Sequence, residues 1–183
     1  MLEMQVAAEK ADAILEYCGT TDIWEILDKL EVLYSFDDYG SAGSGLKGYC
    51  TCFFGQFFIS VNQNLPAYLQ ELIAWHELGH VILDAQQLKD GTCIGEYDPF
   101  HAVSHSETRA NYFASEGLIE DDAILELIQQ GYSAAGVAAC LKVPEAFVGY
   151  KVQILQEAGI PLFSTETPDA ACLQADLTGM ENF

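Results

Sequence analysis

His76-Glu77-Leu78-Gly79-His80 constrains this chain more than any other stretch of it. On a helix, residues four apart lie on one face, so the two imidazoles stand side by side with a carboxylate next to them. Each ring can give one neutral nitrogen to a tetrahedral Zn2+, and Glu77 is then placed to accept a proton from a water at the metal. The spacing points to a zinc hydrolase. Alone it would arise by chance in roughly one chain of this length in a few hundred, so a third ligand has to be found.

The short version of the motif with a third histidine would need Gly at 83 and His at 86, where this chain has Leu83 and Gln86. A more distant ligand is required, and His101, His105 and Glu107 are the candidates, beyond a loop rich in turn formers (Asp90-Gly91, Gly95, Asp98-Pro99). Glu107 opens a segment, Glu107 to Ala114, that reads as a second helix. Ser104 or Ser106 can cap it, and an acid in its first turn suits the helix dipole. Glu107, Ala110, Asn111 and Ala114 then share one face. The small residues allow close approach to the helix of His76 and His80, and Asn111 is placed to orient a ligand imidazole from behind.

His-Glu-Leu-Gly-His followed by Glu107-x-x-Ala110-Asn111-x-Phe113-Ala114 resembles the ImmA/IrrE family of metallopeptidases, a gluzincin-like group. The resemblance runs from about Val32 to Leu155. It implies that His76, His80 and Glu107 bind one zinc ion and that Glu77 is the general base. It further implies a protein or peptide substrate, a helix-turn-helix repressor of a phage or mobile element being the kind associated with the family. One departure stands out: after Ala114 the family commonly continues into an apolar stretch ending in Met-Pro, and here stands Glu116-Gly117-Leu118-Ile119-Glu120-Asp121.

With 183 residues, 50% of them hydrophobic, the chain can bury one sizeable core. The expected organisation is a single zincin-like domain over residues 1–159, followed by an acidic tail over 160–183 that is either partly disordered or folded over the cleft. Seven basic against 28 acidic residues give a net charge of −21, which repels phosphate backbones, so direct nucleic-acid binding is not expected. A basic partner, such as a DNA-binding repressor, would be better suited. No basic segment followed by an apolar core opens the chain and no apolar run reaches membrane-spanning length, so a cytoplasmic protein without a membrane anchor is expected. The six cysteines, at 18, 50, 52, 93, 140 and 172, form no disulfide framework. Cys50 and Cys52 point to the same side of a strand and could serve a metal or a disulfide, the plainer reading being half-buried strand residues.

The expected fold class is α+β: a mainly helical zincin-like domain with a small antiparallel sheet of about three strands packed beside the helix of His76 and His80. Helical spacing runs over about 4–18 and 21–31, with Thr20 or Thr21 as a cap between them. Val32–Phe36 is a short strand. Tyr49–Phe54 and Phe57–Asn62 form a hairpin about Gly55-Gln56. Helices follow over about 66–87, 104–117, 121–130, 133–141 and 144–158, the last two forming a C-terminal pair too poor in basic residues to read DNA. The proposed chemistry also needs a donor for the anionic intermediate, and Tyr97, His101, His105 and Tyr112 are the candidates. The competing reading is a catalytically silent module in which zinc only locks the fold and a transcriptional regulator docks on the cleft.

Overall fold

The computed structural model describes residues 2–41, 45–96 (the side chain of Glu96 excepted) and 104–162. Tyr97, His101, Cys172 and the expected tail from 163 onward lie outside the described residues. The chain divides between Leu118 and Ile119 into two compact units.

The first unit opens with α1 (Leu2–Cys18) and α2 (Ile23–Lys29). Asp22, rather than either threonine, caps α2, its carboxylate accepting from the N–H groups of Trp24 and Glu25. Then come β1 (Leu33–Asp37), β2 (Gly48–Phe53), β3 (Gln56–Asn62), α3 (Ala67–Leu83), the short α4 (Ala85–Lys89), β4 (Ile94–Glu96) and α5 (His105–Leu118). The fold is mainly helical α+β, as expected, but its sheet is mixed and has four strands in the order β1-β3-β2-β4. Among the described residues only β2–β3 is a hairpin. β1 joins the far side of β3 in parallel, Leu33 opposite Phe58, because the long loop after Asp37 lets the chain cross over before β2 begins. β4 is too short to show in the sequence and is drawn out by pairing with β2, Ile94 opposite Cys50.

The hairpin turn is also one residue earlier than expected. Phe53 pairs with Gln56, so the two turn residues are Phe54 and Gly55, with φ of 50° and 82°. Both take the left-handed conformation that a tight hairpin demands, which glycine adopts freely and phenylalanine rarely.

α3 is the hub: it packs against α5 on one side and against β2 and β3 on the other. Every residue from Leu72 to Val81 is buried, which is the envelopment its apolar run predicts. The expected helix over 66–87 is broken at Asp84, whose backbone (φ −116°, ψ 20°) ends α3 and starts α4. The α3–α5 crossing is close: a Cβ on Gly79 would lie 3.1 Å from the Cα of Ala110. The Trp75 ring rests against Gly117, filling the space that a side chain there would need. Where the chain departs from the family's usual sequence after Ala114, glycine thus makes room for a buried tryptophan.

In the second unit α6 (Asp121–Gln129) is followed by α7 (Ala134–Leu141), capped by Ser133, and α8 (Glu145–Glu157) packed on it. Lys142 turns the chain between them in the left-handed conformation. Lys151, buried, ion-pairs with Asp121. No helix among the described residues is long and apolar enough to cross a membrane.

The Trp75–Gly117 contact makes Gly117→Ala an overpacking change. It should lower the unfolding free energy by about 1–3 kcal/mol, read as an earlier urea midpoint; an unchanged midpoint would show that the ring can move aside.

Candidate metal centre

His76 and His80 stand one turn apart on the face of α3 that meets α5, their ring centroids 4.8 Å apart. Each ring has an acceptor behind it. His76 Nδ1–H donates to Asn111 Oδ1 at 2.9 Å, and His80 Nδ1–H donates to Asp84 Oδ2 at 2.9 Å, tautomers assigned from those acceptors. Both Nε2 lone pairs therefore turn inward, 3.1 Å from each other. Glu107, in the first turn of α5, brings Oε2 to 3.2 Å from Nε2 of His76 and 3.6 Å from Nε2 of His80. Ser104 is the residue that starts this helix: its hydroxyl accepts from the N–H of Glu107 and its carbonyl from the N–H of Thr108. Both rings are fully buried, while the Glu107 side chain keeps 21% of its surface exposed, so the group meets solvent on that side.

Three acceptor atoms gathered at such distances call for a positive charge among them. In a tetrahedral shell at about 2.0–2.1 Å from one ion, neighbouring ligand atoms sit roughly 3.3 Å apart. The observed 3.1, 3.2 and 3.6 Å bracket that spacing. The residues thus fit a divalent ion held by two imidazoles and a carboxylate. The described residues bring together one group of this kind, and its ligand atoms all lie within 4.8 Å of one another. Neither Cys50 nor Cys52 belongs to it.

The electrostatics of the protein alone tell the same story. Burial works to lower the His80 pKa, but hydrogen bonds to Asp84 and Glu107 outweigh it and carry the net shift upward. Burial works to raise Glu107, yet its hydrogen bonds to His76 and His80 pull the carboxyl well below the usual range. Asp84 is likewise held low, the pull of His80, Ser106 and Arg109 exceeding its own desolvation.

Glu77 is fully buried on α3, turned toward the sheet: a Cβ on Gly48 would lie 3.5 Å from its Oε1. Cys50, two residues along the same strand and also buried, has its thiol within electrostatic reach of the Glu77 carboxylate. Burial first, and that carboxylate second, push this thiol far up, so it stays an S–H group.

With the geometry in hand, comparison with known proteins is decisive. The peptidase family model described as the IrrE N-terminal-like domain matches residues 32–153. The chain belongs to the ImmA/IrrE family of metallopeptidases. No curated protein matches it. Within this ImmA/IrrE chain, the residues named from the motif, His76, His80, Glu107 and Asn111, come together, and Glu77 lies beside them. Others do not. His105 points outward, 96% exposed, and stands 3.7 Å from Glu3 of α1. Tyr112 is half-buried, five residues along α5 and so rotated off the Glu107 stripe. Tyr97 and His101 lie outside the described residues.

The sequence reading missed Asp84. Four residues after His80, it takes His80 Nδ1–H, the Ser106 hydroxyl at 2.6 Å and the guanidinium of Arg109, and is itself buried. Its spacing from His80 was the available signal, hidden by reading the helix through to residue 87. Ser106, proposed as an alternative cap, instead serves this carboxylate. Asp84→Ala should weaken divalent-metal binding by about ten- to a hundredfold, measured by chelator competition, with the helical circular dichroism retained; unchanged affinity would deny Asp84 its orienting role.

Proposed function

We propose that this protein is a zinc-dependent endopeptidase in which His76, His80 and Glu107 hold one zinc ion and Glu77 is the general base. The observation that carries the reading is the convergence of two buried imidazole nitrogens and a carboxylate oxygen beside a fourth, buried carboxyl-bearing side chain on the same helix. Zinc in such a site supplies Lewis acidity and makes water a nucleophile near neutral pH. Glu77 accepts the proton of that water and returns it to the departing amine, a role that the burial of its carboxylate favours by keeping bulk water from competing. Asn111 and Asp84 hold the rings so that their Nε2 lone pairs stay aimed at one point.

The substrate is a protein, and the family resemblance favours a helix-turn-helix repressor of a phage or mobile element. A net charge of −21 suits a basic, DNA-binding partner and opposes binding of the duplex itself.

Glu77→Gln should keep stoichiometric zinc and lose at least about a hundredfold in turnover, whereas His76→Ala should lose the metal. Zinc content comes from elemental analysis, and turnover from cleavage of a proteome-derived peptide library read by mass spectrometry. Equal cleavage by Glu77→Gln and wild type would exclude Glu77 as the base. A zinc-loaded wild type that cleaves nothing, including proteins captured on Glu77→Gln, would leave a binding module instead.

A further inference from the structure

We propose that Cys50 is a positioning residue for Glu77: its S–H donates to the Glu77 carboxylate and holds it in the rotamer from which it reaches a water beside His76 and His80. This rests on the peptidase reading above and assigns to the site a residue outside its metal group.

The argument begins with the pleat of β2. Side chains two apart on a strand share a face, and Gly48 fixes which face that is, since a Cβ there would meet Ile73 of α3 and lie 3.5 Å from Glu77 Oε1. Cys50 therefore also faces α3. It is fully buried and lies on an interior strand, between Ile59 of β3 and Ile94 of β4, so its position has little freedom. Glu77 is equally buried, and a carboxylate taken out of water needs donors close by. A thiol is a weak neutral donor. That weakness suits a base: a lysine or arginine in the same place would orient Glu77 but also suppress its appetite for a proton. The packing of strand on helix thus supplies orientation without a competing charge. Gly48 has a matching part, since a side chain there would meet Ile73 and hold β2 away from α3.

The test uses the zinc-loaded full chain. Infrared difference spectra of wild type minus Cys50→Ala isolate the Cys50 S–H stretch, and the same spectra in a Glu77→Gln background show whether that bond depends on the carboxylate. The band should move to higher frequency when Glu77 becomes glutamine. Kinetics on the best-cleaved peptide of a proteome-derived library should show kcat falling roughly ten- to a hundredfold in Cys50→Ala. KM and zinc content should be unchanged, and Cys50→Ser should restore most of the loss. A band indifferent to Glu77→Gln, full kcat in Cys50→Ala, or no rescue by serine overturns the proposal and leaves the peptidase reading standing. Absence of any zinc-dependent cleavage by wild type removes that reading and the positioning role with it, even if the band responds.

Discussion

Two imidazole nitrogens and a carboxylate oxygen, all acceptors, are held about one ion's width apart in a mostly buried place. Left to themselves these atoms repel one another, and the protein alone eases this by favouring a proton on His80 and an ionised carboxylate on Glu107. A divalent cation resolves the conflict at one stroke. Much of the first unit can be read as the scaffolding that keeps three such atoms together. α3 supplies two of them from consecutive turns, α5 supplies the third from its first turn, and Asn111 and Asp84 fix the rings from behind.

That scaffolding depends on how near the layers come to one another. Gly79 and Ala110 let α3 and α5 cross closely enough for Glu107 to reach both histidines, and Gly48 lets β2 lie against Glu77 on the opposite side. The helix carrying the motif is therefore clamped between a helix and a sheet, with His76 and His80 turned toward Glu107 of α5 and Glu77 close to β2. Interiors this dense transmit small shifts, so the residues that set the interlayer distances bear on the chemistry although they touch nothing reactive.

What could be read from the sequence was the part governed by helical period. Four-residue spacing put His76 and His80 together, and the Glu107–Asn111 stripe identified the second helix and the carboxylate that meets both rings, with Ser104 correctly among the candidate caps. Sheet pairing was harder, because it is decided by contacts distant in the chain. The parallel seat of β1 and the existence of β4 depend on what lies beside them, not on their own residues. The hairpin slipped by one because Phe54, not Gln56, accepts the unfavourable backbone conformation. Asp84 was obscured because a helix break at an aspartate has no period to betray it, and His105 was kept as a candidate only because proximity in sequence says nothing of which way a first-turn residue points. Cys50 drew notice for its spacing from Cys52, whereas the structure buries it on the face of β2 that meets α3.

The most direct test of the metal centre is X-ray absorption at the zinc edge on the purified, zinc-loaded protein. The account predicts a first shell of nitrogen and oxygen only, at about 2.0–2.1 Å, with the outer-shell scattering of two imidazole rings. A sulfur shell at about 2.3 Å, or scattering from fewer than two rings, would contradict it.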